Sequence, residues 1–412
     1  MQASGQNRFV FTNGLIFDGR SPDLLADHNV VVEEGLITEI SPAPSEPSGS
    51  IVDLKGATLM PGLIDAHFHA YAAEVDFLKL ESYPPTYLSQ RAGHLLTRSL
   101  RRGFTTVRDV GGADYGLWRA IEEGYIEGPR LFFCGRAFSQ TGGHGDVRGP
   151  GTAADWQPCG CSPRGTLAEV VDGTDALRQA AREALRHGAH HLKIFLSGGI
   201  SSPTDPIWMS QFSEQEISVV VEEAARRRTY VAAHAYGAEA IQRGVSCGVR
   251  SIEHGNLIDS VTARMVAAAG AFVVPTLATY DTLERHGKEA GAPAYLLDKL
   301  REVKDKGLEA IEICRAAGVK LGFGTDLLGD LHVYQRDEFR LRSEVETPFQ
   351  ILASATSVNA DLLNMSGKLG CIAAGACADL LAISGNPLED IGLLYAQSNA
   401  IVGVWKGGVR LM

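Results

Sequence analysis

The run Leu63-Ile64-Asp65-Ala66-His67-Phe68-His69 is largely apolar and ends in two histidines spaced two residues apart. Side chains alternate faces along a β-strand, so His67 and His69 point the same way and can share one metal ion. A single His-x-His pair is weak evidence, because it also arises on any polar strand face. Four further strand-like runs, however, end in residues able to bind metal: Lys193, His234, His254 and Asp326. Five strand ends converging on one chemistry is the signal. Histidine nitrogens and carboxylate oxygens at roughly 2.0 to 2.2 Å suit zinc and neighbouring divalent ions.

Lys193 is the anomaly in this set. It stands in His191-Leu192-Lys193-Ile194-Phe195-Leu196, an otherwise apolar strand in which an ammonium must be desolvated. From this strand alone two readings are even. Either the lysine tip snorkels to the rim, or a neutral amine takes up CO₂ and becomes a carbamate, an oxygen donor able to bridge two cations.

The elements that must position these residues fall into a β-rich head, a long alternating middle and a short β-rich tail. In the head, strand candidates at 9–12, 29–33 and 36–40 are punctuated by Asn13-Gly14 and Glu34-Gly35, which are hairpin signals. After a Pro/Ser-rich loop over 41–50, two more runs lead to Pro61-Gly62, the expected boundary. The tail carries strand candidates at 378–383 and 400–405. Head and tail each have too few strands to close a core, so together they are expected to make one small sandwich. The middle alternates apolar runs at 63–69, 104–110, 131–134, 191–196, 230–234, 251–254, 272–276 and 320–326 with helical stretches such as 175–187, 213–227, 238–243 and 296–317. Eight such units predict an α/β fold, a closed (β/α)₈ barrel, in which sites sit at the C-terminal ends of strands. The expected domains are 1–61 and 368–412, forming the sandwich, and 62–367, forming the barrel.

Composition narrows the partner. With Lys plus Arg at 38 against Asp plus Glu at 49, the 412-residue chain carries a net charge of -11, which opposes broad affinity for nucleic acid or anionic membrane. A small molecule is the expected partner, and a homo-oligomer the expected assembly. The 7 cysteines show no zinc-finger spacing and are expected to be mostly reduced, with Cys159 and Cys161 close enough for a local disulfide. The N-terminus has no basic region followed by an apolar segment, and no apolar run of about 18 residues occurs. A cytoplasmic protein is expected, although a leader already removed would leave no trace.

Taken together, the motifs resemble those of the amidohydrolase superfamily over nearly the whole chain. Asp65-Ala66-His67-Phe68-His69 is similar to its first-strand motif, Lys193 falls where binuclear members carry a carboxylated lysine, and His234, His254 and Asp326 fit strands five, six and eight. The resemblance implies two divalent ions, zinc foremost. His67, His69, Lys193 and Asp326 would hold the more buried ion, and Lys193, His234 and His254 the more exposed one. Two cations about 3.5 to 4 Å apart turn a bridging water into hydroxide near neutral pH. That hydroxide is the expected nucleophile, with Asp326 as general base and then acid. Gly142-Gly143-His144-Gly145 and His234-Ala235-Tyr236-Gly237 further resemble the branch of bacterial Xaa-Pro and Xaa-Arg/Lys dipeptidases and ochratoxin-degrading amidases. In that branch His144 and Tyr236 would hold the substrate's carbonyl or carboxylate. A solvated loop histidine and a core-capping tyrosine are the plainer alternatives.

Arg108, beside Asp109 at the end of strand two, is either a substrate-carboxylate ligand or one half of an internal ion pair with Asp109. His187 and His190 fall at the entrance of strand four, where packing is expected, and His332 is placed to touch substrate. The reading that combines these features is a binuclear amidohydrolase cleaving the amide of a dipeptide or small N-acyl amino acid. Its rivals are an imidazolonepropionase-like cyclic amide hydrolase, a lactonase or phosphotriesterase, and a non-enzymatic scaffold. The scaffold would be marked by lost ligands, and none is lost.

Overall fold

The computed structural model describes residues 8–43, 49–153 and 165–412. Cys159 and Cys161 lie outside the described residues. Cys134, Cys247, Cys314, Cys371 and Cys377 are free thiols.

Both termini build the sandwich. One sheet runs in the order Leu36–Pro42, His28–Glu33, Arg8–Thr12, Ser50–Asp53. Glu34 and Gly35, at φ 48° and 80°, make the tight turn that its hairpin requires. The other sheet runs Val409–Arg410, Ile401–Lys406, Leu380–Ile383, Thr58–Pro61, Leu15–Ile16. Leu380–Ile383 is apolar throughout because it is buried on both faces: Leu380 and Ala382 meet Phe11, Val32 and Trp405 between the sheets, whereas Leu381 and Ile383 pack with Leu63, Phe104 and Phe323 of the barrel.

The barrel is made of two parallel arcs. Leu63–Phe68, Phe104–Asp109 and Arg130–Phe133 form the first. The second contains Ala137–Ser139, Leu192–Phe195, Val231–Gly237, Ser251–Leu257, Phe272–Val274 and Lys320–Leu321, with Ala168–Val170 added at one edge. The expected run at 131–134 is Arg130–Phe133, paired with strand two; past Gly135 (φ 77°) an additional strand, Ala137–Ser139, pairs with strand four. Backbone hydrogen bonds close the seams. His190 N–H donates to Phe133 O (2.8 Å) on one side; on the other, Ala66 N–H donates to Phe323 O (2.8 Å) and Asp326 N–H to His67 O (2.9 Å). Strand eight therefore meets strand one at the ends that carry the candidate ligands.

Capped helices return the chain between strands. Ser213 and Glu216 form a capping box on Glu214–Arg226, and Asp259 caps Ser260–Ala268. The single helix expected over 296–317 is instead Ala294–Val303 and Gly307–Ala316, joined by a 3₁₀ turn. Asn256 Nδ2 takes the Val303 carbonyl (3.0 Å), and a Cβ on Gly307 would lie 2.3 Å from Leu277, so strand six and the segment after strand seven force the break. Among the described residues, no helix is long and apolar enough to cross a membrane.

Candidate active site

His67, His69, Lys193, His234, His254 and Asp326 all line one pocket of about 500 Å³ at the C-terminal ends of the strands. His67 Nε2 and His69 Nε2 lie 3.4 and 3.3 Å from Asp326 Oδ1. The ligand atoms of these three residues fall within 4.8 Å of one another. The His254 ring is 4.8 Å from those of both His67 and His234. Two of the six have left-handed backbone, Asp326 at φ 52° and His254 at φ 73°, a strained state for non-glycine residues that clusters at functional sites. Strand eight can come this close only because residue 324 is glycine: a Cβ there would sit 2.6 Å from the His67 Cβ.

The donor set suits a divalent cation, because every histidine is tethered by one nitrogen only. His67 Nδ1 bonds Glu253 Oε2 (2.8 Å), His69 Nδ1 bonds Gly111 O (3.0 Å), His254 Nδ1 bonds Thr276 Oγ1 (2.8 Å) and His234 Nε2 bonds Gly198 O (3.1 Å). A carbonyl or carboxylate oxygen can only accept, so in His67, His69 and His234 the tethered nitrogen carries the proton and the other keeps its lone pair; the Thr276 hydroxyl at His254 can serve as donor or acceptor. Burial, followed by neighbouring histidines, holds His234 and His254 well below the ordinary imidazole range. Burial opposes ionisation of Asp326, but His67, His69 and His254 outweigh it and hold the carboxyl well below its usual range. Lys193 is buried, and that burial pulls its ammonium down to about 8.

Arg108 is not in the pocket, which corrects its expected role as a substrate ligand. Its side chain is fully buried in the barrel interior, where Nε donates to Ala66 O (2.6 Å), Nη1 to Ser251 Oγ (3.1 Å) and Nη2 to both Glu253 oxygens (2.7 and 2.8 Å). Nor does it pair with Asp109, which instead accepts the backbone N–H groups of Ala70, Gly111 and Ala113 at 2.6 to 3.1 Å. Arg108 therefore serves Glu253, which in turn orients His67. Arg108→Met should leave the buried Glu253 carboxylate without its guanidinium, and cost about 3–5 kcal/mol of stability in denaturant unfolding. A raised KM at unchanged stability would restore the substrate role.

His144 does reach the pocket. Its ring stacks on His234 at 4.3 Å, and Nδ1 meets Ser202 Oγ at 2.8 Å. Tyr236 is buried and does not line the pocket; it lies behind the candidate ligands, 4.9 Å from the His234 ring and 5.3 Å from His254. Its hydroxyl accepts from Tyr280 (3.2 Å), leaving its own proton to donate. His332 fails its expectation of reaching substrate: it is buried against Phe68, 4.6 Å between rings, and does not line the pocket. His187 pairs with Glu183 and His190 Nδ1 accepts from Phe133 N–H, so both have packing or surface roles.

Sequence reasoning assigned no role to Asp65, Glu253, Thr276 or Tyr280. Asp65 accepts from Thr325 Oγ1 (2.6 Å) and Gln335 Nε2 (2.8 Å), tying strand one to strand eight. The available signal was a carboxylate inside an apolar strand next to a ligand, as in Ile252-Glu253-His254. Burying a charge there demands a partner.

The parallel barrel carries at its C-terminal rim a tethered cluster of histidines and a carboxylate that could hold a divalent cation. The amidohydrolase family model matches residues 58–411, and the chain belongs to that family. Ochratoxinase from Aspergillus niger is 31% identical over 364 residues, 85% of this chain and 75% of the relative. A solved amidohydrolase superposes with TM-score 0.95 at 49% identity, covering 98% of this chain and 99% of that one. A prolidase solved with N-methylphosphonate-L-proline gives the same TM-score and coverage at 46% identity. The protein is a hydrolase acting on amide bonds.

Proposed function

We propose that this hydrolase cleaves the amide of a dipeptide or small N-acyl amino acid and releases a free amino acid. The observation that carries this is four imidazoles, each tethered by one nitrogen, grouped with Asp326 and Lys193 on the floor of a pocket that His144 overlooks. His67, His69 and Asp326 are the residues for the more buried ion, and His234 and His254 for the more exposed one. Lys193, as its carbamate, would be the ligand common to both. An amine whose ammonium titrates at about 8 offers the neutral form that adds CO₂. Divalent ions there, zinc foremost, would supply an activated water and polarise the substrate carbonyl.

The protein's own groups do the rest. Asp326 takes a proton from the attacking water and delivers it to the leaving nitrogen. His144 donates from Nε2 when its ring carries a second proton, and Tyr236 donates its hydroxyl; both act on the oxygen atoms of the substrate carbonyl or adjacent carboxylate. Likeness to a prolidase and to ochratoxinase supports the substrate class. A panel of dipeptides, N-acyl amino acids, lactones and cyclic amides offered to the metal-loaded protein tests it, and turnover confined to lactones or cyclic amides would reject the reading.

Specificity for a free carboxylate next to the scissile bond gives a sharper test. Converting that carboxylate to an amide removes two charge-assisted hydrogen bonds of about 1.5–3 kcal/mol each, so kcat/KM should fall at least tenfold and up to roughly a thousandfold. The penalty should shrink in His144→Ala and in Tyr236→Phe. Equal cleavage of free and amidated substrates by the unmodified protein would contradict it.

A further inference from the structure

The loop after strand four reaches both His144 and His234 and holds them by opposite nitrogens. Gly198 O takes the Nε2 proton of His234, which leaves Nδ1 bare. Ser202 Oγ meets His144 Nδ1 at 2.8 Å and donates its own hydrogen bond to Asp205 Oδ1, while Asp205 Oδ2 lies 3.6 Å from the same nitrogen. A hydroxyl whose proton is committed to a carboxylate can only accept from the ring. His144 therefore carries its proton on Nδ1 and presents Nε2 to the pocket.

The loop is built around this arrangement. Asp205 is fully buried and also accepts from Gly199 N–H (3.0 Å), Gln211 Nε2 (3.3 Å) and Lys299 Nζ (3.2 Å). Lys299, reaching over from Ala294–Val303, additionally donates to the carbonyls of Gly199 and Ser202 (2.8 Å each) and of Asp205. Residue 199 must be glycine, because a Cβ would sit 2.1 Å from His144 Cε1. Burying a carboxylate and most of an ammonium is costly even when they pair. Here both are spent on a loop that lines the pocket with Ile200 and Ser201 and backs the His144 ring.

We infer that Asp205 and Ser202, clamped by Lys299, are positioning residues that keep the proton of His144 on Nδ1 and aim Nε2 at the substrate. The logic is that of a catalytic histidine oriented by a carboxylate it does not exchange protons with. The inference rests on the proposed role of His144, and its test separates the two.

The test is ¹⁵N-histidine NMR of the full-length protein, with the His144 signals assigned by their loss in His144→Ala, alongside kinetics on a cleaved dipeptide. The unmodified protein should show His144 as the Nδ1–H tautomer, and Asp205→Asn and Ser202→Ala should each convert it to a mixture. Asp205→Asn should lower kcat by roughly 10- to 100-fold with KM changed less than about threefold, and by less than about threefold in the His144→Ala background. An Nε2–H tautomer in the unmodified protein, or one unchanged in both variants, would overturn the inference, as would an equal kcat loss with and without His144. If Asp205→Asn does not fold, Ser202→Ala carries the same readouts. Failure to cleave any dipeptide or N-acyl amino acid would reject the substrate reading, while the tautomer measurement still decides the positioning.

Discussion

Replacing Lys193 by alanine is expected to remove most of both the bound metal and the activity. Lys193 is buried on the fourth strand and lines the same pocket as His67, His69, His234, His254 and Asp326. A carbamate shared by two ions would release both when lost. The fall in metal affinity should exceed the roughly 10–100-fold that follows loss of a group one step behind a ligand. Because alanine removes a buried charge and adds no bulk, the fold should survive, with the deficit appearing in elemental analysis rather than in unfolding. A short carboxylic acid added to the variant should restore part of the rate by standing in for the carbamate oxygens. Full metal content in Lys193→Ala would sink the bridging role.

Asp326→Asn should cut turnover by about 10² to 10⁴-fold while changing KM little. Asparagine keeps the shape and one oxygen, but it cannot accept and return a proton. The carboxylate lies within 3.3 to 3.4 Å of two histidine nitrogens and is held in place by its own N–H bond to His67 O. The variant should therefore keep its backbone while losing the exchange. If full turnover returned at high metal concentration, Asp326 would be a ligand only.

Much of the site was legible because its signals are local. The alternation of a strand puts His67 and His69 on one face whatever the rest of the chain does, and the barrel rule places Lys193, His234, His254 and Asp326 at one rim once each is read as a strand end. The alternating pattern sufficed for the barrel, and the shortage of strands at either terminus for the shared sandwich. Local pattern misled where a distant residue intervened. The 296–317 helix reads as continuous in its own sequence, and it is broken by Asn256 and Leu277. Strand three reads as 131–134, but the chain turns at Gly135 into a further short strand, Ala137–Ser139, whose partner is strand four.

Arg108 marks the limit most clearly. Its type and its place near a strand end fit a carboxylate ligand, and the adjacent Asp109 offers an ion pair, but it makes neither contact. Its partner is Glu253, 145 residues away, which closes on it only when strands two and six face each other across the barrel interior. The same holds for Asp205 and Lys299, 94 residues apart, which meet behind His144. The sequence by itself therefore determined which groups can bind metal and move protons, since that is a property of residue type and strand period. Tertiary structure alone decided which nitrogen of each histidine is tethered and which charged groups are spent on one another, because a buried charge takes the partner that the fold brings to it.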